Sequence, residues 1–278
     1  MSNDAPRFPR FDWTFSTLGC PELTLGETCS LAESYGKLSV EARTLEGTAN
    51  LPELFKAQFG TPDRLTAFMG EQSVAIDFLD SSLKLIGNDE AARGEFLEFI
   101  PWAEALGVRW LRVFDGGKVV EALTNEEIDQ ARETLDWWSR LRESSGWKAD
   151  MAIETHDALV YGNARNQLLD RADTPIHFIW DSHHTWKKSE DSVSQSWEQL
   201  KSLAVNVHVK DSVSKPSARH PFTYVQLGEG EFPLDETLNM IDRDNYTGNV
   251  SIEWERQWHP YLPPIETALE KARELKWF

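Results

Sequence analysis

The feature of this sequence that most constrains its fold is a regular alternation between short apolar runs and amphipathic helical segments. Eight strand-like runs are predicted, and each is followed by a helical segment whose apolar residues recur with the 3.6-residue period. An unbroken series of such units within 278 residues is typical of a single (β/α)8 TIM barrel, an α/β fold. The predicted strands span residues 11–17, 38–42, 74–79, 110–114, 149–153, 177–180, 204–207 and 249–252.

The predicted helices complete each unit and leave two segments irregular. Thr24 with Glu27, and Thr124 with Glu127, have the spacing of a capping box at a helix start. The helices are predicted at 23–35, 62–70, 89–106, 124–144, 161–171, 192–203, 234–243 and 264–275, and the irregular segments at 51–59 and 211–226.

The whole chain, 1–278, is predicted to form one TIM-barrel domain with an irregular lead at 1–10. A doubly wound parallel sheet is the alternative. That fold carries a glycine-rich phosphate loop after its first strand, and no such loop follows residues 11–17. The barrel is therefore the preferred prediction.

Composition narrows the classes of partner. The net charge of −18 disfavours nucleic acid, because binding to phosphates requires clustered Lys and Arg. No apolar run is long enough to span a membrane, and residues 1–9 lack the apolar segment of a signal peptide. Cys20 and Cys29 suggest no disulfide framework. We expect a cytoplasmic protein that binds neither nucleic acid nor membrane.

Four of the apolar runs end in a residue type that binds metal ions. Glu154, Asp181, His208 and Glu253 stand at the predicted ends of the fifth to eighth strands. Each alone has a simpler explanation, as a helix cap or a core histidine, but neighbouring strands lie roughly 4.8 Å apart, so the four can converge on one ion. Three carboxylates and an imidazole favour Mn²⁺ or Mg²⁺, with Co²⁺ or Zn²⁺ as alternatives. One divalent metal ion is the predicted cofactor.

Residues two positions beyond a metal ligand share its face of the strand. His156, Lys210 and Glu255 are therefore predicted to face the same pocket. Lys210 would hold an anionic group or an enediolate oxygen. Arg43 and Arg112, on the second and fourth strands, would do the same from across the barrel, or else form ion pairs within the layer of strand ends.

Tryptophan is abundant, with twelve residues, and several lie next to the strand ends. Trp usually packs in a core or an interface, but rings beside polar groups also line sugar pockets. Trp180, Trp186 and Trp254 are predicted to wall a bound sugar.

The longest irregular segment, 211–226, follows the seventh strand on the side where a barrel carries its active site. Its Lys215, Arg219 and His220 would cover a substrate as a lid. An ordinary solvated loop is the alternative.

At these residues the sequence resembles the sugar-phosphate isomerase/epimerase family with the xylose isomerase-like TIM barrel. The superfamily also contains ketose 3-epimerases, hydroxypyruvate isomerase, inosose dehydratase and apurinic endonucleases. The pattern of strand ends is specific for the superfamily and weak for the individual reaction. The resemblance lies in residues 16–21, 38–43, 105–108, 207–211, 227–231 and 251–255.

The resemblance implies roles for individual residues. Glu154 and Glu253 match the two metal-binding glutamates that also act as the acid/base pair in the epimerases. Asp181 and His208 match the other two ligands. His184 matches a substrate-contacting histidine three residues after the aspartate, whereas strand alternation would select His183.

The resulting hypothesis is a divalent-metal-dependent isomerase or epimerase that acts on a ketose, ketose phosphate or related polyol through a metal-stabilised enediolate. A lyase similar to inosose dehydratase shares the same ligands and is the main alternative. A non-catalytic binding barrel would be expected to lack a ligand. The endonuclease branch requires additional histidines that the third and fourth strand ends do not carry. The sequence leaves the sugar, its phosphorylation and homo-oligomer formation open.

Overall fold

The computed structural model describes residues 5–189 and 191–278. Within these ranges, short extended segments alternate with helices along the chain. The strands are β1 (Asp12–Ser16), β2 (Ser39–Ala42), β3 (Ile76–Ile86), β4 (Trp110–Gly116), β5 (Asp150–Glu154), β6 (Phe178–Asp181), β7 (Ala204–Val209), β8 (Asp211–Val213), β9 (Thr223–Val225) and β10 (Asn249–Ile252).

Eight of the strands form a closed parallel barrel in the order β1–β2–β3–β4–β5–β6–β7–β10. The remaining two, β8 and β9, pair antiparallel as a hairpin after β7. The predicted (β/α)8 TIM barrel is therefore confirmed. The helices are α1 (Leu25–Ser34), α2 (Leu51–Phe59), α3 (Pro62–Gly70), α4 (Glu90–Leu97), α5 (Ile100–Leu106), α6 (Asn125–Ser145), α7 (Gly162–Leu169), α8 (Ser182–Ser189), α9 (Val193–Leu200), α10 (Leu234–Arg243) and α11 (Glu266–Glu274).

Helix starts follow the local capping chemistry. Thr24 and Thr124 each accept a hydrogen bond from the backbone N–H three residues on, and Glu27 and Glu127 reach back to the cap, as the sequence predicted. The bounds of α3 and α10 also agree with prediction. No helix in the described part of the chain is long and apolar enough to cross a membrane.

The predicted loop at 51–59 is wrong, because this segment is helix α2. The Asn50 side chain accepts the N–H of Glu53, and Leu51 and Phe55 bury one face of the helix. Pro52 lies in the first turn, where its missing N–H has no intrahelical partner to lose.

The predicted helix at 89–106 is two helices rather than one. It is interrupted at Glu98 and Phe99, and α5 starts with Pro101 in its first turn. A proline in the middle of a continuous helix would remove a hydrogen bond and clash with the preceding turn, so the chain restarts instead.

Strand β3 is longer than predicted. It runs through Asp80 to Ile86, so the polar residues at 80–82 lie within the strand and not after it. Its pairing with β4 shifts between Asp80 and Lys84, an irregularity that lets the strand continue past the barrel rim.

The lower part of the barrel interior is apolar on one side. Phe78, Ala152 and Ile179 form a small cluster inside the barrel, with Trp110 and Val205 packed against it. Because strand side chains alternate, the next inward residues on β3, β4, β5 and β6 lie two positions further along. Those residues are Asp80, Arg112, Glu154 and Asp181.

Candidate metal centre

The four predicted ligands come together at the carboxyl ends of the strands. Glu154, Asp181, His208 and Glu253 each offer an atom, and all of these atoms lie within 4.8 Å of one another. All four side chains are buried. We call this group the ligand cluster.

The strand register explains the convergence. Glu154 and Asp181 are the last residues of β5 and β6. Asp181 stands opposite His208 in the pairing of β6 with β7. Glu253 directly follows β10, and its backbone N–H donates to the Val209 carbonyl of β7 (3.1 Å). Neighbouring strands thus deliver neighbouring side chains.

His208 is oriented as a ligand by Glu41 of β2. Its Nε2 lies 2.7 Å from Glu41 Oε1, and since an ionised carboxylate only accepts, Nε2 donates. Nδ1 then faces Glu154 Oε1 (3.7 Å) and Glu253 Oε2 (3.4 Å) without a hydrogen-bond partner. A buried imidazole nitrogen directed between two carboxylates is an arrangement that fits a divalent cation.

Glu41 was missed by the sequence analysis, although its position contains a signal. It lies two residues before Arg43 on the second strand, so alternation directs both side chains to one face. Glu41 also accepts the Asn206 side-chain N–H (3.1 Å), which holds the carboxylate beneath His208.

Arg112 forms ion pairs within the layer of strand ends, the alternative that the sequence analysis left open. Its guanidinium donates to Glu154 Oε2 (2.8 Å) and lies 3.7 Å from Asp80 Oδ2. Burial would raise the pKa of Glu154, but Arg112, helped by His208, lowers it to about 2. Glu154 is therefore held ionised, as a ligand or a base must be.

Lys210 reaches the ligand cluster from β7. Its Nζ lies 2.6 Å from Asp181 Oδ2 and 2.7 Å from Glu255 Oε1, and it also contacts Glu253 Oε2. Despite burial, Lys210 and His208 together hold the pKa of Glu253 well below its usual range. Burial raises the pKa of Asp181 to about 6, with Lys210 acting against that rise.

Glu255 lies outside the ligand cluster and is connected to it through Lys210. Besides Lys210, its Oε1 accepts the Tyr224 hydroxyl (2.8 Å), and Oε2 lies 3.8 Å from His259 Nε2. Tyr224 belongs to β9, in a segment predicted to be irregular, and it is buried. Tyr224 is not among the predicted site residues, because the sequence did not predict the hairpin that carries it.

His184, rather than His183, lies beside the cluster. The His184 backbone N–H donates to Asp181 Oδ1 (2.7 Å), and its Nδ1 lies 2.8 Å from Asp181 Oδ2. His183 Nε2 lies instead 2.7 Å from Ser212 Oγ. Strand alternation fails here because helix α8 begins at Ser182. The His183 ring packs among Trp186, Phe222, Tyr224 and Phe232.

His156 lies at the edge of the site and is partly exposed. Its ring makes edge contacts with Phe114 (5.0 Å) and His184 (4.7 Å), and its Nδ1 lies 3.1 Å from Asp157 Oδ1. The loop after β5 is fixed by Asp115, whose carboxylate accepts the backbone N–H groups of residues 156, 157 and 159.

Arg43 is buried next to the cluster but bonds to the protein. Its guanidinium donates to the Asp80 carbonyl (3.2 Å) and to Ser82 Oγ (3.0 Å). Burial, with repulsion from Arg112, lowers the pKa of Arg43 to about 10. Its predicted contact with substrate stays a prediction.

Two of the three tryptophans predicted to wall a sugar, Trp180 and Trp254, pack away from the ligand cluster, whereas Trp186 packs against His183 and Phe232. Trp180 is fully buried, stacks on Trp197 of α9 (5.3 Å) and donates to Thr185 Oγ1 (2.9 Å). Since Asp181 points into the barrel, its neighbour Trp180 must point into the helix layer. Trp254, next to Glu253, likewise packs outward and donates to the Pro263 carbonyl (2.7 Å).

Residues of the predicted lid pack against the loop after β10. The Arg219 guanidinium lies over the Trp258 ring (5.5 Å), and His220 stacks on Phe222 (4.9 Å) and lies 5.2 Å from the His259 ring. The hairpin residue Tyr224 instead contacts Glu255, which contacts Lys210 beside the ligand cluster.

The comparisons with known proteins agree with this architecture. The profile of the family described as Xylose isomerase-like TIM barrel matches residues 29–277. The chain belongs to this family. No curated protein matches the chain.

Solved structures of xylose isomerase-like barrels superpose on nearly the whole chain. The probable 3-DHS dehydratase AsbF from Bacillus anthracis has a TM-score of 0.74 at 17% identity, covering 94% of this chain and 98% of its own. The IOLI protein with a bound zinc atom has 0.73 at 19%, covering 96% and 99%. D-allulose 3-epimerase from Methylomonas sp., in complex with D-allulose, has 0.64 at 15%, covering 98% and 96%. At these identities the likeness establishes the fold.

Proposed function

We propose that this xylose isomerase-like barrel is a divalent-metal-dependent isomerase or epimerase of a ketose, ketose phosphate or related polyol. The observation that most supports the proposal is the ligand cluster, in which Glu154 and Glu253 both face Nδ1 of a histidine whose other nitrogen donates to Glu41. Three carboxylates and one imidazole favour Mn²⁺ or Mg²⁺, with Zn²⁺ and Co²⁺ as alternatives.

The two glutamates are the proposed acid/base pair. A bound ion would act as a Lewis acid, polarising a carbonyl and stabilising negative charge on its oxygen. Glu154 ends β5 and Glu253 directly follows β10, and these two strands are separated by β6 and β7 around the barrel. One glutamate removes the proton next to the carbonyl. The other glutamate takes up a proton from solvent and delivers it to the opposite face or to the neighbouring carbon.

Residues around the cluster would orient the substrate. His184 is held by Asp181 through its backbone N–H, and its Nε2 is directed towards Tyr224 and Glu255. His156 lies edge-on to His184 at the partly exposed side. These imidazoles are the proposed contacts for sugar hydroxyls.

A metal-dependent lyase is the second candidate. The same residues would remove a proton beside the carbonyl, and loss of water would follow instead of proton return. The structural likeness to AsbF, a probable dehydratase, supports this candidate.

Solvent deuterium exchange tests the proposal. The Mn²⁺-loaded protein is incubated in D₂O with a panel of keto-sugars that includes D-allulose and sugar phosphates. We expect deuterium at a carbon next to the carbonyl of at least one sugar, and Glu154→Gln and Glu253→Gln should slow its entry about 10²–10⁴-fold. Glu22→Gln, at a surface ion pair with Arg256, is the control. Absence of exchange across the panel would refute the proposal, and a product lighter by one water would establish the lyase.

A further inference from the structure

Lys210 is a buried cation that contacts two proposed metal ligands and one further carboxylate. Its Nζ lies 2.6 Å from Asp181 Oδ2 and 2.7 Å from Glu255 Oε1, and it contacts Glu253 Oε2. An ammonium group has three N–H donors, so it can serve three acceptors at once. Only 2% of the side chain is exposed, so the carboxylates take the place of water around this charge.

The same oxygen atoms would be needed by a divalent ion. Glu253 Oε2, which contacts Lys210, also lies 3.4 Å from the ligand nitrogen Nδ1 of His208. An ammonium and a divalent cation that share these carboxylates repel each other, and burial strengthens that repulsion. We propose that Lys210 is an internal competitor of the metal ion and limits the affinity of the centre through Asp181 and Glu253. This inference rests on the proposed metal centre.

Glu255 offers Lys210 a different partner. The Glu255 carboxylate is not in the ligand cluster, and its Oε1 is held by the Tyr224 hydroxyl at 2.8 Å. Because the Glu255 carboxylate attracts the Lys210 ammonium, the ammonium interacts less strongly with Asp181 and Glu253. Glu255 is therefore a positioning residue. It favours metal binding because it holds the Lys210 ammonium in an ion pair that does not involve a metal ligand.

Metal affinity measured with and without Lys210 tests the competition. The wild type and Lys210→Met are titrated with Mn²⁺ by equilibrium dialysis after chelator treatment. We expect Lys210→Met to bind Mn²⁺ about tenfold or more tightly, since a repelling charge is removed from a buried site. The matched control is Lys188→Met, whose Nζ donates to the backbone oxygen of His156. This control reports the effect of losing one positive charge nearby, and its affinity should change much less.

A second variant retains Lys210 and tests its anchor. Glu255→Gln should weaken Mn²⁺ binding several-fold, roughly threefold to tenfold, because Lys210 then bonds more strongly to Asp181 and Glu253. In the Lys210→Met background the same substitution should weaken Mn²⁺ binding clearly less. The difference between the two effects on Mn²⁺ affinity measures the coupling between Glu255 and Lys210. Thermal unfolding with chelator and with Mn²⁺ checks that each variant folds. The increase in melting temperature caused by Mn²⁺ should be largest for Lys210→Met.

The outcomes separate this inference from the proposal on which it rests. Wild type that binds Mn²⁺ while Lys210→Met binds no more tightly than Lys188→Met would overturn the role of Lys210 alone. If Lys210→Met does not fold, unchanged or tighter binding by Glu255→Gln would overturn it. Failure of wild type and all variants to bind Mn²⁺ would overturn the metal centre as well.

Discussion

At the scale of single residues, the contact between Glu41 and His208 is the feature on which the proposed metal centre most depends. The Glu41 carboxylate contacts Nε2 of His208, so Nδ1 is the nitrogen that faces the ligand cluster. Both side chains are almost completely buried, so water does not replace Glu41 as the acceptor. The residue that orients a ligand is therefore as much a part of the centre as the ligand.

Glu41→Gln tests this orientation. The amide is neutral and can also present its NH₂ group to His208, which weakens the preference for a free Nδ1. We expect the Mn²⁺ dissociation constant to rise by about 10–100-fold, the usual effect of losing such a partner. Equilibrium dialysis measures it, with the surface variant Glu22→Gln as control. Equal affinities for the two variants would show that Glu41 does not orient the ligand.

Strand alternation correctly predicted side chains that point into the barrel. It was not applied to their outward-pointing neighbours, which were wrongly predicted to line the pocket. It brought Lys210 and Glu255 to the pocket, and they are in contact. Applied strictly, it would also have excluded Trp180, because Asp181 next to it points inward. His183 and His184 lay beyond its reach, since the chain turns into α8 directly after the strand.

At the scale of elements, the hairpin β8–β9 is anchored by one carboxylate. Asp211 accepts the backbone N–H groups of Gly228 (2.9 Å), Gly230 (2.9 Å) and Phe232 (3.1 Å), which ties the segment after the hairpin to its first strand. Gly228 has a positive φ of 79°, a backbone conformation that glycine adopts without steric cost. The anchor keeps Tyr224 against Glu255.

Gly230→Ala tests the anchor. A Cβ at this position would lie only 1.9 Å from Asp211 Oδ1, so the carboxylate must move away from the N–H groups it accepts. We expect the free energy of unfolding to fall by about 1–3 kcal/mol. Gly94→Ala in helix α4, where a Cβ meets nothing within 4 Å, is the control and should be neutral or stabilising by up to about 1 kcal/mol. Urea unfolding compares them, and equal stabilities would contradict the anchor.

Elements were predictable where one local signal dominates. The capping boxes at Thr24 and Thr124 located two helix starts. The bounds of β3 were not predictable, because the polar residues at 80–82 are satisfied by tertiary partners such as Arg43, which donates to the Asp80 carbonyl and to Ser82. Such partners are distant in sequence, and a local reading of polarity places a strand end there.

At the scale of the whole molecule, burial of carboxyl groups makes stability depend on pH. Burial raises the pKa of Asp115 from 3.8 to about 7, with Asp157 adding to the rise and His156 and backbone N–H groups opposing it. The folded state thus binds more protons than the unfolded state between about pH 4 and pH 7. The contribution of this group to stability is full below about pH 4 and is lost as the pH rises through about 7.

Asp115→Asn should remove that component. With chelator present, ionisation of Asp115 should lower the free energy of unfolding of the wild type between pH 4 and pH 8. The decrease should be on the order of 4 kcal/mol at most. The variant lacks the titrating group, so its stability should fall less over the same range. Urea unfolding at pH 5 and pH 8 measures both proteins. Parallel pH profiles would show that Asp115 does not titrate in this way.

The nearly complete burial of the ligand cluster also has a consequence for time. Its four residues are between 0% and 6% exposed, and Lys210 forms ion pairs with two of them and with Glu255. We expect an ion to exchange with such a buried site through local opening of the structure, so its residence time would depend on the frequency of that opening as well as on the strength of coordination. Two samples with equal equilibrium affinity for the ion can then differ in metal content because one was treated with chelator for an hour and the other for a day.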